Sequence, residues 1–205
     1  MVMGELANRG EAMIVPEGFY KQVSSILNAA RDKAYTTINF TMVEAYWEIG
    51  KSILEEQGGE ERAVYGEALI DELAVRPTRD FGKGFNTRNL RYMRQFYLAF
   101  PIRNALRSEL SWTHYRRLMR IPDSEARTWY MNECADSRWS TRQLERQINT
   151  MFRERLLASK DKETVAQEIQ KSAPARRPED IIRDPYVLEF LGFSDDAAFR
   201  ESNLE

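Results

Sequence analysis

A phosphodiester-cleaving site built from one aspartate and a Glu/Asp-x-Lys triplet holds a divalent cation on its carboxylates and activates water beside them. No Asp or Glu in this sequence is followed by Lys two positions later, so that chemistry has no support here. Gly82-Lys83-Gly84 lacks the other positions of GxxxxGK[ST], and Asp80-Phe81-Gly82 stands without any further kinase element. The single histidine, His114, and the single cysteine, Cys134, can supply neither an intramolecular disulfide nor a Cys/His zinc site. His114 has no nucleophile or second ligand beside it in Trp112-Thr113-His114-Tyr115 and reads as a packing residue. Cys134, inside a helical pattern, reads as a small buried hydrophobe. No catalytic residue, metal or cofactor is expected.

What remains is arginine. The net charge of -2 averages three unlike stretches: residues 1–75 hold 6 Lys/Arg against 13 Asp/Glu, residues 76–158 hold 17 against 8, and residues 159–205 hold 7 against 11. All but Lys83 of the 17 cations in the middle stretch are arginine, whose planar fork favours bidentate contact with phosphate or carboxylate over simple solvation. Two readings follow. The basic block neutralises the phosphates of double-stranded DNA, or it pairs with acidic protein, including the chain's own acidic flanks.

These side chains need elements to position them, and 205 residues, 42% hydrophobic and 30% charged, suffice for one ordinary domain with a real core. No stretch approaches the ~18 apolar residues of a membrane span. The start, MVMGELANRGEAMIVPEG, has no basic segment leading into an apolar run, so a cytoplasmic location is expected. Apolar residues at three- and four-residue spacing from Phe19 to Ile53 predict one long helix ending near Gln57-Gly58-Gly59, with a break plausible at Thr36-Thr37. A second helix runs from about Arg62 and stops before Pro77. After a turn-rich connection, Asn86 caps a third that reaches Ala99.

On the third helix Leu90, Met93, Phe96 and Tyr97 share one side, and Arg88, Arg91 and Gln95 share a narrow arc opposite, with Arg94 close by. Ser111 opens a fourth helix and Ser124 a fifth. Ser140, with Gln143 as a capping box, opens a sixth that buries Leu144, Ile148, Met151 and Phe152 and aligns Arg142, Arg146, Asn149 and Arg153 outside. Aromatics interleaved with these cations, Phe96, Tyr97, Trp112 and Trp139 among them, lie at core spacing rather than as stacking platforms. No period-2 run long enough for a strand occurs, and the class is all-α.

Six strings stand in order: Ala45-Tyr46-Trp47-Glu48-Ile49-Gly50, Asp80-Phe81-Gly82-Lys83-Gly84-Phe85, Arg91-Tyr92-Met93-Arg94-Gln95-Phe96-Tyr97, Leu110-Ser111-Trp112-Thr113-His114-Tyr115, Arg142-Gln143-Leu144-Glu145-Arg146-Gln147-Ile148 and Asp184-Pro185-Tyr186-Val187-Leu188-Glu189-Phe190-Leu191. Together they resemble the N-terminal region of the YhcG family, bacterial proteins described as predicted PD-(D/E)XK nucleases. The resemblance runs from about Phe19 to the end of the sequence. It implies a helical N-terminal domain, with a proposed DNA-binding role, ahead of a C-terminal nuclease-like domain that this sequence stops short of. Pro77 departs from the leucine usual in such proteins and is expected to shorten the second helix.

The resulting expectation is a tail over 1–17, a helical DNA-binding and dimerisation domain over 18–158, and over 159–205 a linker and the start of the absent nuclease-like domain. The third helix enters the groove in a helix-turn-helix manner through Arg88, Arg91, Arg94 and Gln95, and Arg142, Arg146 and Arg153 hold phosphates. The long first helix makes a homodimer, which Ile38→Glu or Met42→Glu breaks if those positions face the partner. The alternative is a protein-interaction module that docks a nuclease domain or an acidic partner.

Overall fold

The computed structural model describes residues 15–58 and 63–159, with side chains in the second stretch from residue 68 onward. The expected linker over 159–205, apart from Ser159, and most of the expected tail lie outside the described residues. Among the described residues there are α1 (Glu17–Glu56), α2 (Ala63–Phe81), a 3-10 turn (Lys83–Phe85), α3 (Thr87–Ala99), a second 3-10 turn (Arg103–Ala105), α4 (Trp112–Leu118), α5 (Ser124–Asp136), α6 (Thr141–Asn149) and α7 (Phe152–Ala158). No strand occurs among them, and the all-α class stands. None of these helices is long and apolar enough to cross a membrane.

The chain divides into two compact units, Met1–Tyr35 and Thr36–Glu205. In the first, the α1 residues Phe19, Tyr20, Ile26 and Leu27 expose 59–62% of their surface. In the second, the same helix becomes a core element: Met42, Val43, Tyr46, Trp47, Gly50 and Ile53 are buried. Met42, at 4% exposure, packs into its own domain and is not open to a partner, and Ile38 is partly buried against the same core. A run of period-3.6 residues shows which face is apolar, not which part of it finds a covering element.

The α1 backbone approaches α3 so closely at Gly50 that a Cβ there would lie 2.0 Å from the Met93 carbonyl oxygen and 2.7 Å from its carbon. Only glycine fits. Around this crossing the aromatics form one continuous cluster, with Tyr46 on Trp112 at 4.9 Å, Phe96 on Trp112 at 5.3 Å and on Tyr115 at 4.9 Å, and Phe100 on Tyr115 at 5.3 Å. The offset and edge-on geometries are those that favour ring quadrupoles. These aromatics, with Leu90 and Met93, are buried to 8% exposure or less, which places them in the core as their spacing predicts.

α3 is held at both ends. Asn86 accepts from the Asn89 amide at 3.1 Å and donates its own side-chain N–H to the Lys83 carbonyl at 2.7 Å, and buried Asn89 donates to the Gly84 carbonyl at 3.0 Å. At the other end the Trp47 indole N–H donates to the Phe100 carbonyl at 2.7 Å, and Arg127 donates to the Ala99 carbonyl at 2.8 Å. The orphan carbonyls of a helix terminus are thereby satisfied inside the protein.

Two helix ends differ from expectation. α2 continues through Pro77 to Phe81, although proline gives up its amide bond to the carbonyl of Leu73 and crowds that carbonyl with its ring. Beyond it the helix is anchored by Phe81 against Phe85 at 6.0 Å and by the Gly82 amide on the Thr78 carbonyl at 3.1 Å. The predicted sixth helix is two: Met151 sits in the left-handed region at φ 50° and is 64% exposed rather than buried. The break is sealed by Tyr130, whose buried hydroxyl accepts from the Arg153 amide at 3.1 Å and lies 3.3 Å from the Gln147 carbonyl and 3.4 Å from a Glu154 carboxylate oxygen, each able to accept its proton.

Gly50→Ala is expected to lower stability by about 1–3 kcal/mol, the cost of overpacking where the obstructing atom is backbone and cannot rotate aside; a shifted denaturant midpoint at unchanged slope checks this. Cys134 is fully buried, and burial, with Glu133 adding to it, pushes its thiol pKa up to about 12. Raising the pKa depletes the nucleophilic thiolate at any pH below it. Iodoacetamide at pH 8 should therefore leave the folded chain unmodified and alkylate it once in guanidinium.

Candidate nucleic-acid interface

α2, the Lys83–Phe85 turn and α3 give the helix, turn and basic helix that the sequence predicts. With Leu90, Met93 and Phe96 turned inward, Arg88, Arg91 and Gln95 are exposed on the other side of α3. Arg91 reaches Asp71 of α2 at 3.3 Å, with both side chains at least half exposed. A surface pair of this kind contributes little to stability and is readily exchanged for another anion. Arg94 behaves differently: it is half-buried and its Nε donates at 2.6 Å to the buried Gln57 that follows α1.

The second candidate group is divided by the break at Met151. Arg142 and Arg146 are exposed on α6, and Arg142 has no carboxylate partner among the described residues. Arg153, on α7, has a side chain only 19% exposed and lies 3.7 Å from Asp123 and 4.0 Å from Glu125 at the start of α5. The structure thus does not continue the Arg142, Arg146, Asn149, Arg153 stripe, because the left-handed Met151 turns the chain before Arg153 is reached.

Between α3 and α6 stands α4, which ties the two together. Its Arg117 pairs with Glu145 of α6. Ser111, preceding α4, donates its backbone N–H to His114 Nδ1 at 3.1 Å, and His114 Nε2 lies 3.0 Å from the Trp139 carbonyl just ahead of α6. These distances suit the neutral tautomer that donates from Nε2, and His114 is a bonded structural residue as read. In the other direction Arg116 of α4 lies over the Tyr92 ring of α3 at 4.5 Å, and Arg88 lies 5.8 Å from the centre of that ring. Arg88 first, and then Arg116, hold the Tyr92 phenol below its ordinary pKa. Arg116 is absent from the candidate set drawn from the sequence; the alternation Tyr115-Arg116-Arg117 shows a cation beside core aromatics, but nothing in it shows which helix that cation crosses to.

Three further cations are structural. Arg103 pairs with Glu44 at 3.0 Å and Glu48 at 3.3 Å, so the basic middle of the chain is tied to acids of α1. Arg107 pairs with Asp136 at 2.6 Å and with Glu109 at 3.4 Å. Arg127 spends its guanidinium on the carbonyls of Ile121, Pro122 and Ala99. Among the described residues no group of three His, Cys, Asp or Glu side chains is placed to hold a metal ion.

The profile of the DUF1016 N-terminal domain matches residues 22–155, the stretch that contains nearly all of the described helices. The chain is also similar to an Escherichia coli (strain K12) protein described as "Putative nuclease YhcG", at 37% identity over 216 aligned positions, covering 88% of this chain and 56% of the relative. It therefore spans about half the length of the curated relative it matches. No solved structure matches the chain. The domain match and the identity over most of the sequence agree with each other and with the six motif strings, and the chain belongs to the YhcG family through a DUF1016 N-terminal domain.

Proposed function

We propose that this chain is the DNA-binding module of a nuclease-associated protein and is not itself catalytic. The observation that carries the reading is the division of labour among its arginines. Those facing the interior or the helix junctions, Arg94, Arg103, Arg107, Arg127 and Arg153, are held by acids, an amide oxygen or carbonyls. Arg88, Arg116 and Arg142 reach no carboxylate among the described residues, and Arg91 reaches only an exposed one. Cations without an internal anion are those available to a phosphate backbone. The similarity to a relative described as a nuclease supports DNA as the source of that phosphate, since such a protein must be brought to its substrate. In this reading α3 presents Arg91 and Gln95 to the groove, and Arg142 and Arg146 of α6 hold the backbone beside it.

A second reading rests on a different observation, the exposed apolar side chains of α1 over residues 19–27. Tyr20, Val23, Leu27, Ala30 and Ala34 follow the seven-residue repeat of a two-helix seam. A second copy running antiparallel suits this seam: it sets the large Tyr20 beside the small Ala30, and Glu17 at one end near Arg31 and Lys33 at the other. The two readings are compatible, and a dimer would double the arginine surface.

Duplex DNA affinity should fall steeply with salt, by about 0.9 in log-log slope for each phosphate neutralised, as measured by fluorescence anisotropy. Arg142→Ala should weaken binding to all sequences alike and flatten that slope by about one unit, with an unchanged circular dichroism melt because Arg142 is exposed. Micromolar protein that leaves duplex DNA unbound at ~50 mM salt overturns the reading. For the seam, light scattering should show a dimer for the parent chain and a folded monomer for Leu27→Glu; a monomeric parent chain excludes it.

A further inference from the structure

Arg88 occupies the first turn of α3, which contains no acidic residue. The unpaired amides of a helix start carry partial positive charge and favour an anion there. A cation in that place is unfavourable on its own, and a second guanidinium, that of Arg116, is brought to the same tyrosine ring from α4. Among the described residues Tyr92 is the only partner of either guanidinium. The ring face attracts each cation, but it does not neutralise them. Two positive forks that converge on one ring from different elements form a site short of one anion.

We infer that Arg88 and Arg116 jointly clamp a single backbone phosphate of duplex DNA, with Tyr92 as the positioning residue that holds the two guanidiniums side by side. This rests on the DNA-binding reading above and assigns Arg88 to the backbone rather than to base edges. The planar fork of each arginine can donate two hydrogen bonds to phosphate oxygens, and the convergence across two helices fixes where the phosphate lies relative to α3. Tyr92 is only partly buried, so its ring can support the arginines while leaving their outer N–H groups to the ligand.

The test is anisotropy with a duplex of about 20 base pairs over a series of salt concentrations, on the parent chain, Arg88→Ala, Arg116→Ala, the double variant and Tyr92→Leu. Each arginine variant should bind about tenfold more weakly, the loss of a charge-assisted hydrogen bond, and flatten the salt slope by about one unit. The double variant should flatten it by no more than about one unit as well, because a shared phosphate is released once. Tyr92→Leu should lose affinity with little change in slope, since both cations remain, and Tyr92→Phe, which keeps the ring but not the hydroxyl that Arg88 and Arg116 reach, should lose less. Melts guard against misfolding, and Arg116→Lys, which keeps the charge but loses the fork, should retain the slope and still bind more weakly.

A double variant that flattens the slope by two units means two separate phosphates and overturns the clamp. So does Arg116→Ala that binds as the parent chain does, while the DNA-binding reading stands. A parent chain that binds no duplex overturns both. If that parent chain instead binds pyrophosphate, and Arg88→Ala and Arg116→Ala abolish that binding, the anion belongs to a source other than DNA.

Discussion

The close approach of α1 to α3 at Gly50 is the constraint on which the rest of the second unit depends. With no side chain at that point, the α1 backbone lies against the Met93 carbonyl, and the distance between the two helices is set by main chain rather than by any adjustable rotamer. That distance fixes what can fill the space on either side. Tyr46 and Trp47, one turn before Gly50, then meet Trp112 and Tyr97, each at 4.9 Å, and the Trp47 indole comes within reach of the Phe100 carbonyl that ends α3. Because α3 is gripped at its midpoint and at both ends, its rotation about its own axis is determined. The outward direction of Arg88, Arg91 and Gln95 is a consequence of how Leu90, Met93 and Phe96 are packed, not an independent property of those residues.

Several arginines hold this scaffold together, and for Arg94, Arg107, Arg127 and Arg153 that role goes with partial burial. A guanidinium taken from water needs its donors satisfied, and Arg127 shows how that can be done without any acid, through the carbonyl that ends α3 and two in the segment before α5. Arg107 and Arg153 use acids to fasten α5 to the segments that pack against it. Such residues are counted in the positive charge of the middle stretch, yet they offer little of it to a ligand. The +9 of residues 76–158 therefore overstates the charge left open on the surface, which lies on the few arginines whose neighbours on the fold are not acids.

Much of the fold is legible in the sequence where a helix carries its own start signal and a clean apolar arc. Asn86 and Ser140 cap α3 and α6 in the positions their residue types predict, and Ser140 and Gln143 close a capping box at 3.3 Å and 2.7 Å. What is not legible depends on residues distant in sequence. Nothing local to Thr150 and Met151 announces a left-handed turn, since a main partner of the break is Tyr130, on another helix, whose hydroxyl takes the Arg153 amide and reaches the Gln147 carbonyl. Pro77 gives a strong local stop signal, and it is overridden because the turn beyond it is anchored by Phe85. The apolar stripe of α1 is correct in register, but sequence spacing carries no information about where the covering helices end.

The same limit shapes the candidate site. A helical wheel places Arg88, Arg91 and Gln95 together because all three lie on one element, and it places Arg153 with Arg142 by assuming that an element continues. It cannot bring Arg116 to Arg88, because that neighbourhood is created by α4 crossing α3, and the crossing is set by Phe96 packing on both Trp112 and Tyr115. α4 is only seven residues long, too short to form by itself. It is held by its buried face, by Ser111 and His114 at its start, and by the Arg117 pair with Glu145. The residue that faces α3 is thus oriented by contacts that have nothing to do with ligand binding. Arg88 and Arg116 lie against Tyr92, which packs on the buried cluster, so a change in the aromatic core would reach this part of the surface through a single side chain.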